Sequence, residues 1–157
     1  MNASALVHQF SANRLTITTA ESCTGGLIAG AITAIPGASS VFTHGYVTYA
    51  NAAKTQMLGV PEAMLLAHGA VSEPVARAMA EGARTQAKVD YAISTTGIAG
   101  PDGGTAEKPV GTVWFGLASP FGTQAYHKHF LGDRESVRTQ AVAFALTLLA
   151  QQAPKND

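Results

Sequence analysis

The residues able to do chemistry concentrate in one stretch, PGASSVFTHGYVTYANAAK, which sets hydroxyls at Ser39, Ser40, Thr48 and Tyr49 ahead of Lys54. A serine is a weak nucleophile until a base removes its proton. A lysine can be that base once desolvation has lowered its pKa. Ser39 ends one expected helix, the chain then doubles back through a strand, and Lys54 comes one helical turn after Asn51. That path can bring serine, tyrosine and lysine together. Composition does not establish this, since a serine, a tyrosine and a lysine within sixteen residues is a frequent accident.

A second nucleophile is available in Cys23, just before the helix that Gly25 and Gly26 open. A thiol at a helix N-terminus can be activated by a lowered pKa. Lone cysteines are more often small buried hydrophobes. Thr24, Gly25 and Gly26 also form the first of two glycine turns that follow expected strands, where free N–H groups suit an anion. The second turn, Gly97-Ile98-Ala99-Gly100-Pro101-Asp102-Gly103-Gly104, is preceded by Thr96. Long loops of this kind in compact domains are commonly functional. Neither turn carries a P-loop or a G-x-G-x-x-G pattern. Arg134 and Arg138 lie four apart near the start of the last expected helix, on one face, where guanidinium forks match phosphate or carboxylate oxygens. A solvated surface pair is the plainer reading. His127 and His129 share one face of a strand, and two ligands do not make a metal site, so no metal is expected.

The elements that must position these groups alternate along the chain. Ala3 to Asn13 reads as an amphipathic helix with Leu6 and Phe10 on one face, and Leu15 to Thr19 as a strand. An Ala-rich helix follows from Leu27 to Ile35, then a strand from Tyr46 to Ala50, with Asn51 as N-cap of the next helix. Pro61 starts a short helical turn, and Ser72 is the expected N-cap of a helix burying Val75, Met79 and Ala83. Tyr91 to Thr96 reads as a strand. Gly111 to Ala118 and Gln124 to Phe130 read as a hairpin, and Asp133 caps a final helix to about Gln151. Strands interleaved with helices and closed by one hairpin predict an α/β fold. The expected arrangement is three-layer α/β/α, a mixed sheet covered by helices on both faces.

The chain of 157 residues fits one domain over 1–157, with 46% apolar and only 13% charged residues. Ten basic against ten acidic residues give zero formal charge, so nucleic acid is not an expected partner. Low charge leaves little protection against self-association, and a homo-oligomer is expected. One cysteine excludes an internal disulfide framework. No signal peptide or membrane span is read, so the expectation is a cytoplasmic protein with no membrane partner.

Seven segments in order, TAESCTGG, GASSVF, GYVTYANAAK, GAVSEPVA, TGIAGPDGG, KPVGTVWF and GDRESVR, resemble the CinA C-terminal domain family from about Leu15 to Ala150. The resemblance implies hydrolysis of the carboxamide of nicotinamide mononucleotide to nicotinate mononucleotide and ammonia. That reaction needs no cofactor and recycles pyridine nucleotide. It further implies Ser39 as nucleophile, assisted by Tyr49 and Lys54. The ribose phosphate is expected against a glycine turn, at Thr24, Gly25 and Gly26 or at Thr96, Gly97 and Gly100, with Arg134. The alternative is a non-catalytic nucleotide-binding protein of the same fold, associated with competence or DNA damage.

Overall fold

The computed structural model describes residues 2–154. Its elements run α1 Ala3–Ala12, β1 Ile17–Glu21, α2 Leu27–Thr33, a 3₁₀ turn at Ala38–Ser40, β2 Phe42–Val47, α3 Asn51–Leu58 and α4 Glu62–His68. There follow α5 Glu73–Ala87, β3 Tyr91–Gly97, β4 Thr112–Ser119, β5 Gly122–His129 and α6 Arg134–Ala150. The five strands form one sheet in the order β2-β1-β3-β4-β5. β2, β1 and β3 are mutually parallel, whereas β4 and β5 are antiparallel additions. The mixed three-layer fold expected from the alternation of elements is the one observed.

Alternation within β3 explains the two layers of helix. Tyr91 and Ile93 face a core built with Leu6, Phe10, Ile28, Ile32, Val137, Ala141 and Leu149, from α1, α2 and α6. Ala92 faces the opposite core, with Leu58 of α3, Leu65 of α4, and Val75, Met79, Ala80 and Ala83 of α5. That second face of the sheet is small, with Ala20, Ala92 and Ala118. α5 therefore lies close enough for the Ser94 hydroxyl to donate to the Ala76 carbonyl at 2.6 Å.

Several element ends differ from the sequence reading. β1 runs on to Glu21, and every position in it is buried, polar residues included. β2 starts at Phe42 rather than Tyr46, because pairing with Ile17 of β1 extends it backwards. Ala50, not Asn51, caps α3, and no side chain closes that cap. Ser72 does sit at the N-cap of α5, yet its hydroxyl donates back to the Gly69 carbonyl at 2.7 Å. Asp133 caps α6 as expected, accepting from the Ser136 N–H at 2.9 Å. Among the described residues no helix is long and apolar enough to cross a membrane.

α1 packs on the sheet through Leu6, Val7 and Phe10, the last fully buried and edge-to-face with Tyr91 at 5.5 Å between centroids. Phe10→Ala is expected to cost about 3–5 kcal/mol of unfolding free energy in urea titration, through lost transfer energy and the cavity left behind.

Candidate active site

In a parallel sheet with helices on both faces, ligands bind beyond the carboxyl ends of the strands where the winding changes direction. Here α2 carries the chain from β1 to β2 on one face, and α3 to α5 carry it from β2 to β3 on the other. The change of direction falls at the end of β1. A cleft of about 300 Å³ opens there, lined by Ser22, Tyr49, Lys54, Gly97, Asp102 and Arg134 among others. Each parallel strand sends its following segment into it: Ser22 after β1, Tyr49 to Lys54 after β2, and the 96–103 loop after β3. A larger groove between α3 and α4 is lined by residues such as Ala52, Leu65 and Leu66, with no paired nucleophile and base.

Lys54 is the centre of the cleft. Only 1% of it is exposed, and its amine lies 2.9 Å from the Thr48 carbonyl, 3.2 Å from the Tyr49 carbonyl and 3.1 Å from Ser22 Oγ. Burial lowers the lysine pKa, since the charged form loses its hydration. A neutral amine has two N–H groups and one lone pair. The two carbonyls match the two N–H groups, which leaves the lone pair for the hydroxyl of Ser22.

Ser39 is not brought to Lys54. It lies exposed in the 3₁₀ turn before β2, while Tyr49 and Lys54 come after β2. A six-residue strand at roughly 3.3 Å per residue puts about 20 Å between its two ends. Its neighbour Ser40 donates to the Gly37 carbonyl at 2.9 Å and lies 3.1 Å from Ser11 Oγ, away from the cleft. Tyr49 does reach the site, but by its carbonyl. Its side chain is 59% exposed, and its phenol accepts from Arg134 Nη2 at 2.9 Å, at the mouth.

The residues expected to bind substrate divide in the same way. Thr24 is fully buried and its hydroxyl is committed, donating to Glu21 Oε1 at 2.6 Å and lying 2.8 Å from Thr95 Oγ1. Gly25 and Gly26 open α2, but that helix already holds an anion. Glu21, with no exposed surface, accepts from the Ile28 N–H at 2.8 Å and the Ala29 N–H at 3.1 Å. The first glycine turn is therefore closed to a phosphate at the helix end. Thr96 lines the cleft with its hydroxyl spent on the Ala70 carbonyl at 2.9 Å. Gly97 and Gly100 form the cleft wall, and Arg134 Nη1 donates to the Gly100 carbonyl at 2.8 Å. Gly100 has φ +85°, and a Cβ there would run into Val110.

Cys23 touches the cleft but is only 5% exposed, and burial pushes its thiol up to about 12. A thiol held protonated in this way is no nucleophile at neutral pH. Among the described residues no three His, Cys, Asp or Glu side chains converge as metal ligands. The sequence reading passed over Ser22, took Asn51 only as an N-cap and named Asp102 only within the second glycine turn; all three line the cleft. Ser22 carried one legible signal: it stands between a strand and a glycine turn that opens a helix.

The profile of the CinA C-terminal domain matches residues 2–153. The nicotinamide-nucleotide amidohydrolase PncC of Escherichia coli (strain K12) is 57% identical over 142 residues, 90% of this chain and 86% of that protein. A CinA-like protein of Anaeromyxobacter dehalogenans (strain 2CP-C) is 60% identical over 129 residues, 82% of this chain but 32% of that longer protein. The crystal structure of the competence/damage inducible protein CihA from Agrobacterium tumefaciens superposes with TM-score 0.93 at 43% identity, covering 96% of this chain and 93% of that one. Sequence and fold thus agree over nearly the whole length, and the chain belongs to the CinA C-terminal domain family.

Proposed function

We propose that this chain hydrolyses the carboxamide of nicotinamide mononucleotide to nicotinate mononucleotide and ammonia, with Ser22 as nucleophile and Lys54 as its base. The amidohydrolase similarity supports the substrate class. The observation that carries the chemistry is the Ser22 Oγ to Lys54 Nζ distance of 3.1 Å inside a buried cleft.

Neutral Lys54 takes the Ser22 proton as Oγ attacks the carboxamide carbon. The oxyanion needs donors fixed before it forms. Among the described residues, no backbone or side-chain oxygen accepts from the N–H groups of Cys23 and Thr24, which follow the nucleophile directly. They are the donors assigned to it. The lysine ammonium then returns its proton to the departing nitrogen, and ammonia leaves as the acyl ester forms. Water attacks the ester with Lys54 again as base, the carboxylate product departs, and Ser22 recovers its proton. Arg134, at the mouth, is the cation assigned to the phosphate, exchanging its bonds to Tyr49 and Gly100 for phosphate oxygens.

Ser22→Ala is expected to lower kcat for ammonia release by at least about 10³-fold with the fold intact, whereas Ser39→Ala keeps near-normal turnover. The reverse result would return the nucleophile to the turn before β2.

Lys54 protonated has no lone pair, so kcat/KM should rise with pH along a single-proton limb set by its lowered pKa. Lys54→Arg keeps the charge and cannot accept a proton, so it should be as inactive as Lys54→Met. Substantial turnover in the arginine variant would show that charge, not a base, is required.

Removing one charge-assisted contact costs about 1.5–3 kcal/mol, so Arg134→Met should raise KM for the mononucleotide roughly 10–100-fold. KM for the phosphate-free riboside should stay the same. Equal effects on both would remove Arg134 from phosphate recognition.

A further inference from the structure

We propose that Arg138 and Glu21 are positioning residues for the amide hydrolysis, gripping the Ser22–Gly25 turn from two sides so that its backbone donors face the reacting carbonyl. The proposal rests on Ser22 being the nucleophile, as read above.

Arg138 stands on α6, far along the chain from the turn. Its Nε donates to the Cys23 carbonyl at 3.1 Å and its Nη2 to the Thr24 carbonyl at 3.5 Å. A guanidinium between two successive carbonyls fixes two peptide planes at once. In a trans peptide the C=O and the following N–H point in opposite directions. Holding the Cys23 oxygen therefore fixes the direction of the Thr24 N–H. The plane before it is fixed from within the turn, where the Gly25 N–H donates to the Ser22 carbonyl at 3.0 Å and so sets the Cys23 N–H.

Gly25 makes room for this arrangement. It has φ +58°, and a Cβ on it would sit 3.3 Å from Arg138 Nη2. Arg138 is thus not a free surface cation waiting for a ligand, which is how its spacing from Arg134 reads in the sequence.

Glu21 acts from the strand side. Its carboxylate has no exposed surface, and all three of its hydrogen bonds go to the segment that follows Ser22: the Thr24 hydroxyl and the first-turn N–H groups of Ile28 and Ala29. Thr24 in turn meets Thr95 of β3. Ser22 is tied to the same strand by its own N–H, which donates to the Thr95 carbonyl at 2.9 Å. Displacing reacting groups by about 1 Å can cost around 10²-fold in rate without a new clash at the reacting centre. Arg138 and Glu21 touch neither Ser22 Oγ nor Lys54, so their loss should move the turn and leave the base alone.

The test uses the full chain and two readouts. One is kcat and KM for ammonia release from nicotinamide mononucleotide. The other is the rate at which a fluorophosphonate probe labels Ser22, read by mass spectrometry, which does not depend on the natural substrate. Arg138→Met is expected to lower both kcat and the labelling rate about 10²-fold, with KM, the pH of the rising limb and the unfolding midpoint little changed. Arg138→Lys, a point donor, should recover only part of the rate. Glu21→Gln, with one acceptor exchanged for a donor against the Ala29 N–H, should behave like Arg138→Met. An unchanged labelling rate in Arg138→Met would overturn the proposal, as would slowing that only follows the unfolded fraction or full recovery by lysine. If the unmodified chain releases no ammonia yet Ser22 labels, and labels slowly in Arg138→Met, the substrate reading falls and the positioning role stands. If Ser22 does not label at all, the nucleophile and the positioning role fall together.

Discussion

An amine with 1% exposure constrains everything around it. Burying a lysine penalises the ammonium strongly, and only polar partners make the position tolerable. Lys54 finds three: two carbonyls from the segment just before its helix and one hydroxyl from the residue that follows β1. The first two come with the chain reversal between β2 and α3. The third requires β1 to lie beside β2 and to end level with it, which the pairing of Glu21 with Val47 and the Thr48 N–H to Glu21 carbonyl bond enforce. The apolar layer beneath, with Leu58, Val60 and the buried face of α5, supplies the desolvation. The same burial that makes the ammonium costly favours the neutral amine, whose lone pair can accept a proton.

Glu21 answers a second demand of that geometry. A short helix starting a few residues after Ser22 leaves first-turn N–H groups that must be satisfied. In many α/β sites the ligand supplies the anion. Here the chain supplies its own carboxylate, which ties the helix start to the strand end beside Ser22. The consequence for recognition is direct. A phosphate has no open helix end at α2, and among the described residues the guanidinium lining the cleft is that of Arg134.

Much of this was legible in the sequence, and the failures share one cause. Period and turn signals placed the helices, the strands and the hairpin along the chain. Lys54 stood out because a lysine close behind a strand and among apolar residues is a candidate base. Ser39 stood out because it is near Lys54 in sequence and sits in the GASSVF segment of the resemblance, but an extended strand carries its two ends apart. Ser22 is far in sequence and adjacent in space, since parallel neighbours bring their carboxyl ends together. Nothing local says that β1 and β2 are neighbours. Arg138 and Glu21 were hidden in the same way, as a surface pair and a strand end whose partners come from remote segments.

The glycine loop after β3 completes the argument for a site built before the ligand arrives. Glycines and a proline in a long connection suggest a mobile lid. Yet the Ile98 N–H donates to the Thr112 carbonyl, the Gly111 N–H to the Ile98 carbonyl and the Thr105 N–H to the Lys108 carbonyl. Gly97 and Gly104 pack so closely on 109–113 that a Cβ on either would meet backbone or Val113 and Val110 side chains. Here the glycines let two stretches of backbone press together instead of letting one swing. β4 is the partner for that pressing, so the antiparallel hairpin appended to a parallel sheet acts as the buttress of the cleft wall. Electrostatic stabilisation of a transition state works only when donors are already aimed and need no reorganisation as charge develops. A wall fixed by its own backbone, a turn fixed by Arg138 and Glu21, and an amine fixed by two carbonyls meet that condition together.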